Sequence, residues 1–175
     1  MNIAKIDRGE PIVDICAYCL MPNHFHILVR EKIEGGISLF MQKLLTAYTM
    51  YFNKKNDRTG SLFQGKFKAT HANKDEYLKY LISYIHLNPV KLLEPKWRET
   101  GISNLKKIEK FLNNYKYSSY ADFLNRKRVE EVIVNKKSLP EYFSSSLDFK
   151  KTLRDWLEFK SSPSSRFDLD IKVEP

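Results

Sequence analysis

The sequence predicts an α+β protein, because a strand-like hairpin near the N-terminus is followed by long stretches of helical periodicity. Residues 11–20 are β-branched and apolar, and residues 24–30 continue in the same way after Met21-Pro22-Asn23. A proline that fixes φ, followed by an asparagine that tolerates left-handed geometry, is typical of a turn. We therefore expect two neighbouring strands joined by a short loop.

Two helices and a further strand are expected after this hairpin. Apolar residues recur at helical spacing from Gly36 or Ser38, and again in a segment that ends near Leu87. The second helix is expected to begin at Asn73, since Glu76 three residues later resembles a capping box. Between the helices, residues 61–70 alternate apolar with basic or polar side chains, which is the period of a strand.

The C-terminal third carries weaker signals. Helical character returns at 104–114 and at 147–159, and the end of the chain has the composition of a loose tail. We expect a main domain over residues 1–125, a helical extension over 126–160 and a flexible tail over 161–175.

The composition favours a polyanionic partner. Lys and Arg outnumber Asp and Glu by 30 to 21, which gives a formal net charge of +9, and each phosphate contact releases counterions. No apolar run approaches the roughly 20 residues that a membrane helix needs. The N-terminus has no signal-peptide pattern, so we expect a cytoplasmic protein. Cys16 and Cys19 have no second cysteine pair to complete a zinc site, which favours two small buried residues.

His24 and His26 lie two residues apart on the second predicted strand. Their imidazoles should project from one face of that strand, while Phe25 turns to the core. A lone H-x-H pattern is more often a hydrogen-bonded pair on a sheet surface than a metal site. If it is a metal site, a third ligand must come from elsewhere. An oxygen ligand there would suit Mg²⁺ or Mn²⁺, although zinc is not excluded.

Tyr77, Tyr80 and Tyr84 form an aromatic stripe along the second predicted helix. Such a stripe is more often part of a core than of a catalytic site. Tyr84 differs because Asn88 follows one helical turn later, on the same face if Pro89 leaves that turn helical. A phenol and an amide oxygen would then lie side by side, as a nucleophile and a metal ligand. Attack on a phosphodiester would leave a 5′-phosphotyrosine and a free 3′-hydroxyl.

A basic and polar surface is expected to hold nucleic acid beside these residues. Its members come from the first long helix, the loop after it and the polar face of the predicted strand: Lys43, Arg58, Gln64, Lys66 and Lys68. An ordinary solvated surface is the equally weighted alternative.

Three stretches, CLMPNHFHILV, GSLFQGKFKAT and YIHLNPVK, together resemble the HUH-type single-tyrosine transposases, particularly the REP-associated tyrosine transposase branch. The resemblance implies a ferredoxin-like antiparallel sheet with helices on one face. It implies that Tyr84 is the nucleophile that cleaves and rejoins single-stranded DNA, often at hairpins. It also implies that Asn88 joins His24 and His26 as the metal ligands. His86 is a rival ligand by type, but it should point away along the helix.

The resemblance also implies a first strand and helix ahead of residues 11–20, and the ten residues there are too few for both. That first strand would lie beside residues 61–70, so these residues would lose a pairing partner without it. Later in the chain, Tyr117-Ser118-Ser119-Tyr120 is similar to a short motif that follows the family's core.

Three functions remain open from the sequence. The first is a metal-dependent DNA transesterase that acts on single-stranded hairpin ends. The second is a non-catalytic or domesticated remnant that binds nucleic-acid hairpins. The third is a nuclease that uses water instead of a tyrosine. The family contains monomers and dimers that exchange tyrosine helices, so a homodimer is one expected assembly, and no membrane partner is expected.

Overall fold

The structure, a computed structural model, describes residues 9–143 and 145–158. It is an α+β protein, as the sequence predicts. Its two strands are β1 (Val13–Leu20) and β2 (Phe25–Glu31), and its helices are α1 (Gly36–Lys55), α2 (Asp75–Leu87), α3 (Trp97–Thr100), α4 (Leu105–Asn114), α5 (Tyr120–Phe123) and α6 (Ser146–Glu158). Short 3₁₀ helices span Asn88–Leu92, Val129–Ile133 and Lys136–Ser138.

The predicted hairpin is confirmed. Strands β1 and β2 are antiparallel, Cys19 lies opposite His26, and an irregularity between Ile15 and Ala17 interrupts the register. The Met21 N–H donates to the His24 carbonyl at 2.8 Å and closes the turn. This register places the two histidines at the turn end of the hairpin.

The other edge of β1 is covered by the Tyr117–Ser119 segment. The Leu20 N–H donates to the Tyr117 carbonyl at 2.7 Å, and the Ser119 N–H donates to the Tyr18 carbonyl at 2.9 Å. The Ser119 hydroxyl oxygen also accepts from the Tyr18 N–H at 2.9 Å. Since unpaired strand edges leave backbone groups unsatisfied, this motif has a structural role.

The strand predicted over residues 61–70 is not formed. Within the described residues the sheet has two strands, in the order β1–β2, and the ferredoxin-like sheet that the resemblance implies is represented by this hairpin alone. The physical reason is that no further strand among those residues offers a ladder to pair with. The segment is instead attached by Phe63, whose ring lies 6.1 Å from that of Phe25.

Helix α1 begins at a tight approach of two backbone segments. Gly35 has a φ of 72°, a conformation that glycine adopts without strain. At Gly36 a Cβ would lie 2.5 Å from the Ile12 carbonyl oxygen, so a larger residue would displace the chain there. The two glycines therefore fix how α1 leaves the hairpin.

Helix α2 begins at Asp75 and not at Asn73. Lys74 is its N-cap in extended geometry, without a side-chain capping bond, so the predicted capping box is wrong. Asp75 and Glu76 lie in the first turn, where carboxylates interact favourably with the helix dipole. This electrostatic contribution replaces the expected side-chain cap.

One core joins α2 to the C-terminal helices. Helix α6, close to the predicted 147–159, buries three apolar residues against it, and the cluster includes Ile82, Ile85, Phe149, Leu153 and Leu157. Residues on either side of position 125 thus share this core, while the tail expected over 161–175 lies outside the described residues. Within the described chain, no helix is both long and apolar enough to cross a membrane.

Cys16 and Cys19 are free thiols with 1% and 0% exposure. Burial raises the pKa of Cys16 to about 11 and that of Cys19 to about 12. Both thiols are therefore protonated at neutral pH and unreactive, as expected of small residues packed inside the protein.

A candidate catalytic site at His24, His26 and Tyr84

The two histidines lie against each other at the turn end of the hairpin. Their ring centroids are 5.0 Å apart, and the ring planes are nearly perpendicular at 89°. Phe25 between them is half-buried and packs against Phe63. Its predicted place in the main core is therefore wrong, because the uncovered side of β2 meets the 61–70 segment instead.

The hydrogen bonds of the pair leave one nitrogen of each ring available. His24 Nδ1 lies 2.7 Å from the Asn23 side-chain oxygen, which can only accept, so Nδ1 carries the proton and Nε2 keeps a free lone pair. His26 Nε2 is buried without a hydrogen-bond partner. A buried polar atom without a partner is uncommon, and metal binding would satisfy it.

Both imidazoles are held in the neutral form that binds metal. Burial, together with positive charge on His24, Lys91 and Arg98, lowers the pKa of His26 to about 4. The pKa of His24 is also lowered, by burial and by Lys91. Because a ligating histidine must be unprotonated, the pair is ready to bind a cation at neutral pH.

Tyr84 is the tyrosine of the stripe that meets the histidines. Its ring centroid lies 5.4 Å from that of His26, at an interplanar angle of 86°. Tyr77 stacks on Tyr80 at 6.2 Å, and Tyr80 meets Trp156 at 5.3 Å. These two tyrosines therefore pack within the protein, whereas Tyr84 reaches the histidine pair.

Asn88 remains helical in spite of Pro89. Its φ and ψ are −52° and −41°, and it is 2% exposed. The Asn88 side-chain N–H donates to the Tyr84 carbonyl at 3.0 Å, so the amide oxygen is left to accept or to bind a metal. No three His, Cys, Asp or Glu side chains in the described residues are grouped to hold a metal. A third ligand from this part of the chain would thus be an oxygen of another type, as the Asn88 amide provides.

His86 is not available as a ligand. It is fully buried, its Nδ1 lies 2.8 Å from the Ile82 carbonyl, and its Nε2 lies 2.8 Å from the Ser119 hydroxyl. A carbonyl can only accept, so Nδ1 donates and Nε2 accepts from Ser119. Both ring nitrogens are therefore occupied inside the core.

The residues expected to bind DNA are all exposed, but they do not share a strand face. Lys43 lies on α1, and the others lie in the segment after it, which is not a strand. Arg58 lies over the Phe52 ring at 5.8 Å and contacts the Ser61 carbonyl at 3.3 Å. Gln64, Lys66 and Lys68 follow on the extended segment.

Sequence reasoning missed Arg98. Its guanidinium carbon lies 5.0 Å from the centre of the Tyr84 ring. The residue is on α3, in a stretch without a readable pattern, and a lone arginine fourteen positions after the tyrosine carries no sequence signal. Asn23, the hydrogen-bond partner of His24, could have been found, because an asparagine beside a histidine is able to orient it.

Comparison with known proteins gives one similar family. Residues 8–88, a little under half of the chain, match a family model described as "Transposase IS200 like". The match contains the hairpin, α1 and α2, and it ends at Asn88. No curated protein and no solved structure gives a significant match. Residues 8–88 are therefore similar to the IS200-like transposases.

Proposed function

We propose that the chain cleaves and rejoins single-stranded DNA by transesterification, with Tyr84 as the nucleophile. The observation that carries this proposal is the contact of the Tyr84 ring with His26, beside His24. A phenol is a weak nucleophile at neutral pH unless a metal or a base assists it. The contact brings the chain's candidate nucleophile to its candidate metal ligands.

The proposed reaction exchanges one ester for another. The Tyr84 phenol gives up its proton, a bond forms between its oxygen and phosphorus, and the bond from phosphorus to the 3′-oxygen breaks. The 3′-oxygen leaves with the electron pair and takes up a proton. Because no water is consumed, a second 3′-hydroxyl can reverse the step and join strands without ATP.

His24, His26 and Asn88 would hold the divalent cation, Mg²⁺ or Mn²⁺. When bound, such a cation polarises the phosphate and stabilises its developing charge. The hydrogen bond between Asn23 and His24 Nδ1 leaves the lone pair on Nε2, the other nitrogen of the His24 ring. Helix α2 fixes the distance between the nucleophile and Asn88 at one turn.

A surface of mixed aromatic and basic residues supports single-stranded DNA as the substrate. On α1, Tyr48 and Tyr51 are 48% and 58% exposed, with ring centroids 6.3 Å apart. Residues 36–72 contain six Lys or Arg and one acidic residue, Asp57. Exposed rings stack on unpaired bases and cations track the phosphates, so this surface suits a strand that leads to the site.

The proposal is tested by incubating the protein with end-labelled single-stranded hairpin DNA and Mn²⁺. A covalent protein–DNA adduct is expected, and Tyr84→Phe abolishes it while the matched control Tyr80→Phe retains it. Cleavage that survives Tyr84→Phe indicates a hydrolytic nuclease. Hairpin binding without any adduct indicates a non-catalytic remnant, an outcome that is in keeping with the 61–70 segment, which pairs with no strand among the described residues.

A further inference from the structure

Arg98 lies over the face of the Tyr84 ring. The distance from its guanidinium carbon to the ring centre is 5.0 Å, and the distance to the Trp97 ring is 5.4 Å. Trp97 is 6% exposed and anchors the short helix α3, whereas Arg98 is exposed. The arginine therefore follows a buried residue of α3 and places its charge over the ring of the candidate nucleophile.

The surroundings of the histidine pair are positively charged. Lys91 and Arg98 both act on His26, and no carboxylate is among the groups that act on either histidine in the described residues. Glu94, the acidic residue between these two cations, is bonded to the Ser103 hydroxyl at 2.7 Å and to its N–H at 2.9 Å. Two cations, Lys91 and Arg98, therefore lie near the histidine pair.

We propose that Arg98 is a catalytic residue that binds a non-bridging oxygen of the scissile phosphate beside Tyr84. The proposal rests on the proposed function and deepens it. A guanidinium matches a phosphate geometrically and keeps its proton at any working pH. In cleavage Arg98 offsets the negative charge on the non-bridging oxygens as the Tyr84–phosphorus bond forms and the bond to the 3′-oxygen breaks. In rejoining, it stabilises the Tyr84 phenolate as that oxygen leaves with its electron pair.

Variants of the full chain separate a role in chemistry from a role in binding. Arg98→Ala is expected to lower the single-turnover rate of adduct formation roughly 100-fold, the cost of removing one preorganised donor to a developing anion. The affinity for hairpin DNA is expected to fall much less, because other cations, Lys66 and Lys68 among them, are expected to contribute phosphate contacts. Arg98→Lys keeps the positive charge but loses the planar set of N–H donors of the guanidinium, so its rate is expected to be intermediate. Lys96→Ala is the matched control, since it removes an exposed cation two residues away and is expected to react like wild type.

A neutral phosphate at the scissile position distinguishes contact with the reacting group from mere packing on Tyr84. Methylphosphonate replaces one charged oxygen with a methyl group, so a cation that binds that oxygen loses its partner. With this substrate the rate ratio between wild type and Arg98→Ala is expected to shrink from about 100 to a few-fold. If the ratio stays the same on both substrates, Arg98 acts only through packing and the proposal is overturned.

The outcomes of these experiments also separate this inference from the proposed function. If wild type forms no adduct, the proposed function fails and the role of Arg98 fails with it. If wild type forms the Tyr84 adduct and Arg98→Ala forms it at the same rate, the inference alone fails.

Discussion

His26 and His86 are both shielded from water, yet their hydrogen bonds give them opposite roles. His86 uses both ring nitrogens inside the core, with Ile82 and Ser119. His26 keeps a buried nitrogen without a partner. The first arrangement stabilises one neutral tautomer, and the second leaves a lone pair that only a ligand from outside would satisfy.

His86 gives the protein a predictable sensitivity to acid. Burial lowers its pKa to about 3, far below the value of about 6.5 in an unfolded chain. Between these values the unfolded chain binds a proton that the native protein does not. The contribution of His86 to the free energy of unfolding is therefore fully present above about pH 6.5. Below that pH it falls by up to about 1.4 kcal/mol per pH unit.

Denaturant unfolding of the protein at pH 7, 6 and 5 measures this slope. His26, whose pKa is also lowered, contributes in the same direction. His86→Gln is expected to reduce the pH dependence of the free energy of unfolding by the contribution of one histidine. His71→Gln, at an exposed position, is expected to leave that pH dependence unchanged. An unchanged slope in His86→Gln would show that His86 is not the group responsible.

Asn23 is predicted to control metal affinity through His24. Asn23→Ala removes the acceptor that fixes the His24 tautomer, and loss of such an outer partner typically weakens metal binding about 10- to 100-fold. Titration with Mn²⁺, followed by its paramagnetic resonance, measures the affinity. Asn114→Ala on α4 is the control, and equal affinities for the two variants would contradict the assignment.

At the scale of elements, Ser119 connects the hairpin to the tyrosine helix. Its hydroxyl oxygen accepts from the Tyr18 N–H of β1, and its proton is directed to His86 of α2. Strand β1 of the hairpin and helix α2 are thus joined through one buried side chain. This explains why a serine-rich motif far from the site matters for its geometry.

Ser119→Ala is predicted to destabilise the protein by about 1–3 kcal/mol, because it leaves buried polar partners unsatisfied. Ser61→Ala, at an exposed position, should cost less than about 0.5 kcal/mol. Urea unfolding of both variants compares the two values. If Ser119→Ala lowers the free energy of unfolding no more than Ser61→Ala does, Ser119 does not connect the hairpin to α2.

Within residues 9–143, the 61–70 segment is predicted to be the first site of tryptic cleavage in the native protein. Its lysines, Lys66 and Lys68, are exposed and belong to no ladder or helix, so little structure must open for a protease to act. Limited proteolysis with mass spectrometry locates the cuts. Earlier cleavage at Lys79, within α2, would mean that the helix opens more readily than this segment.

The spacing of residues was sufficient for the hairpin, the long helices and the closeness of His24 to His26, whereas the expectation that Tyr84 acts with them came from the family resemblance. Period two and period 3.6 are local properties, and two histidines spaced two residues apart need no distant information. The prediction of a strand over residues 61–70 failed because a strand needs a neighbouring strand, which an alternating pattern cannot supply. Arg98 was missed because its position over Tyr84 depends on how α3 packs, and no local period encodes that packing.

At the scale of the whole molecule, the charge balance predicts that binding of single-stranded DNA weakens with salt. For single strands the logarithm of the affinity falls with the logarithm of salt by about 0.7 per phosphate contact. Replacing Lys66 and Lys68 with glutamine should therefore reduce the slope by about 1.4. Fluorescence anisotropy over a range of KCl concentrations measures it.

A control with the same charge loss is available on another surface. Lys106 and Lys107 are exposed on α4, and their replacement with glutamine lowers the net charge equally. This variant is expected to keep the wild-type slope. If both double variants change the slope alike, the DNA responds to overall charge and the 61–70 lysines have no special contact.

The hydrogen bond between Tyr18 and Ser119 joins residues 101 positions apart. It therefore bears on the stage of synthesis at which the protein can complete its fold. The core beside Tyr84 is completed only by Leu153 and Leu157 of α6. At synthesis rates of about 5–20 residues per second, roughly 4–14 s separate residue 88 from residue 158. A nascent chain that already carries the whole family-matching segment therefore still lacks the contacts that hold its hairpin and tyrosine helix together. The proposed DNA chemistry is therefore expected only once translation of the described chain is nearly finished.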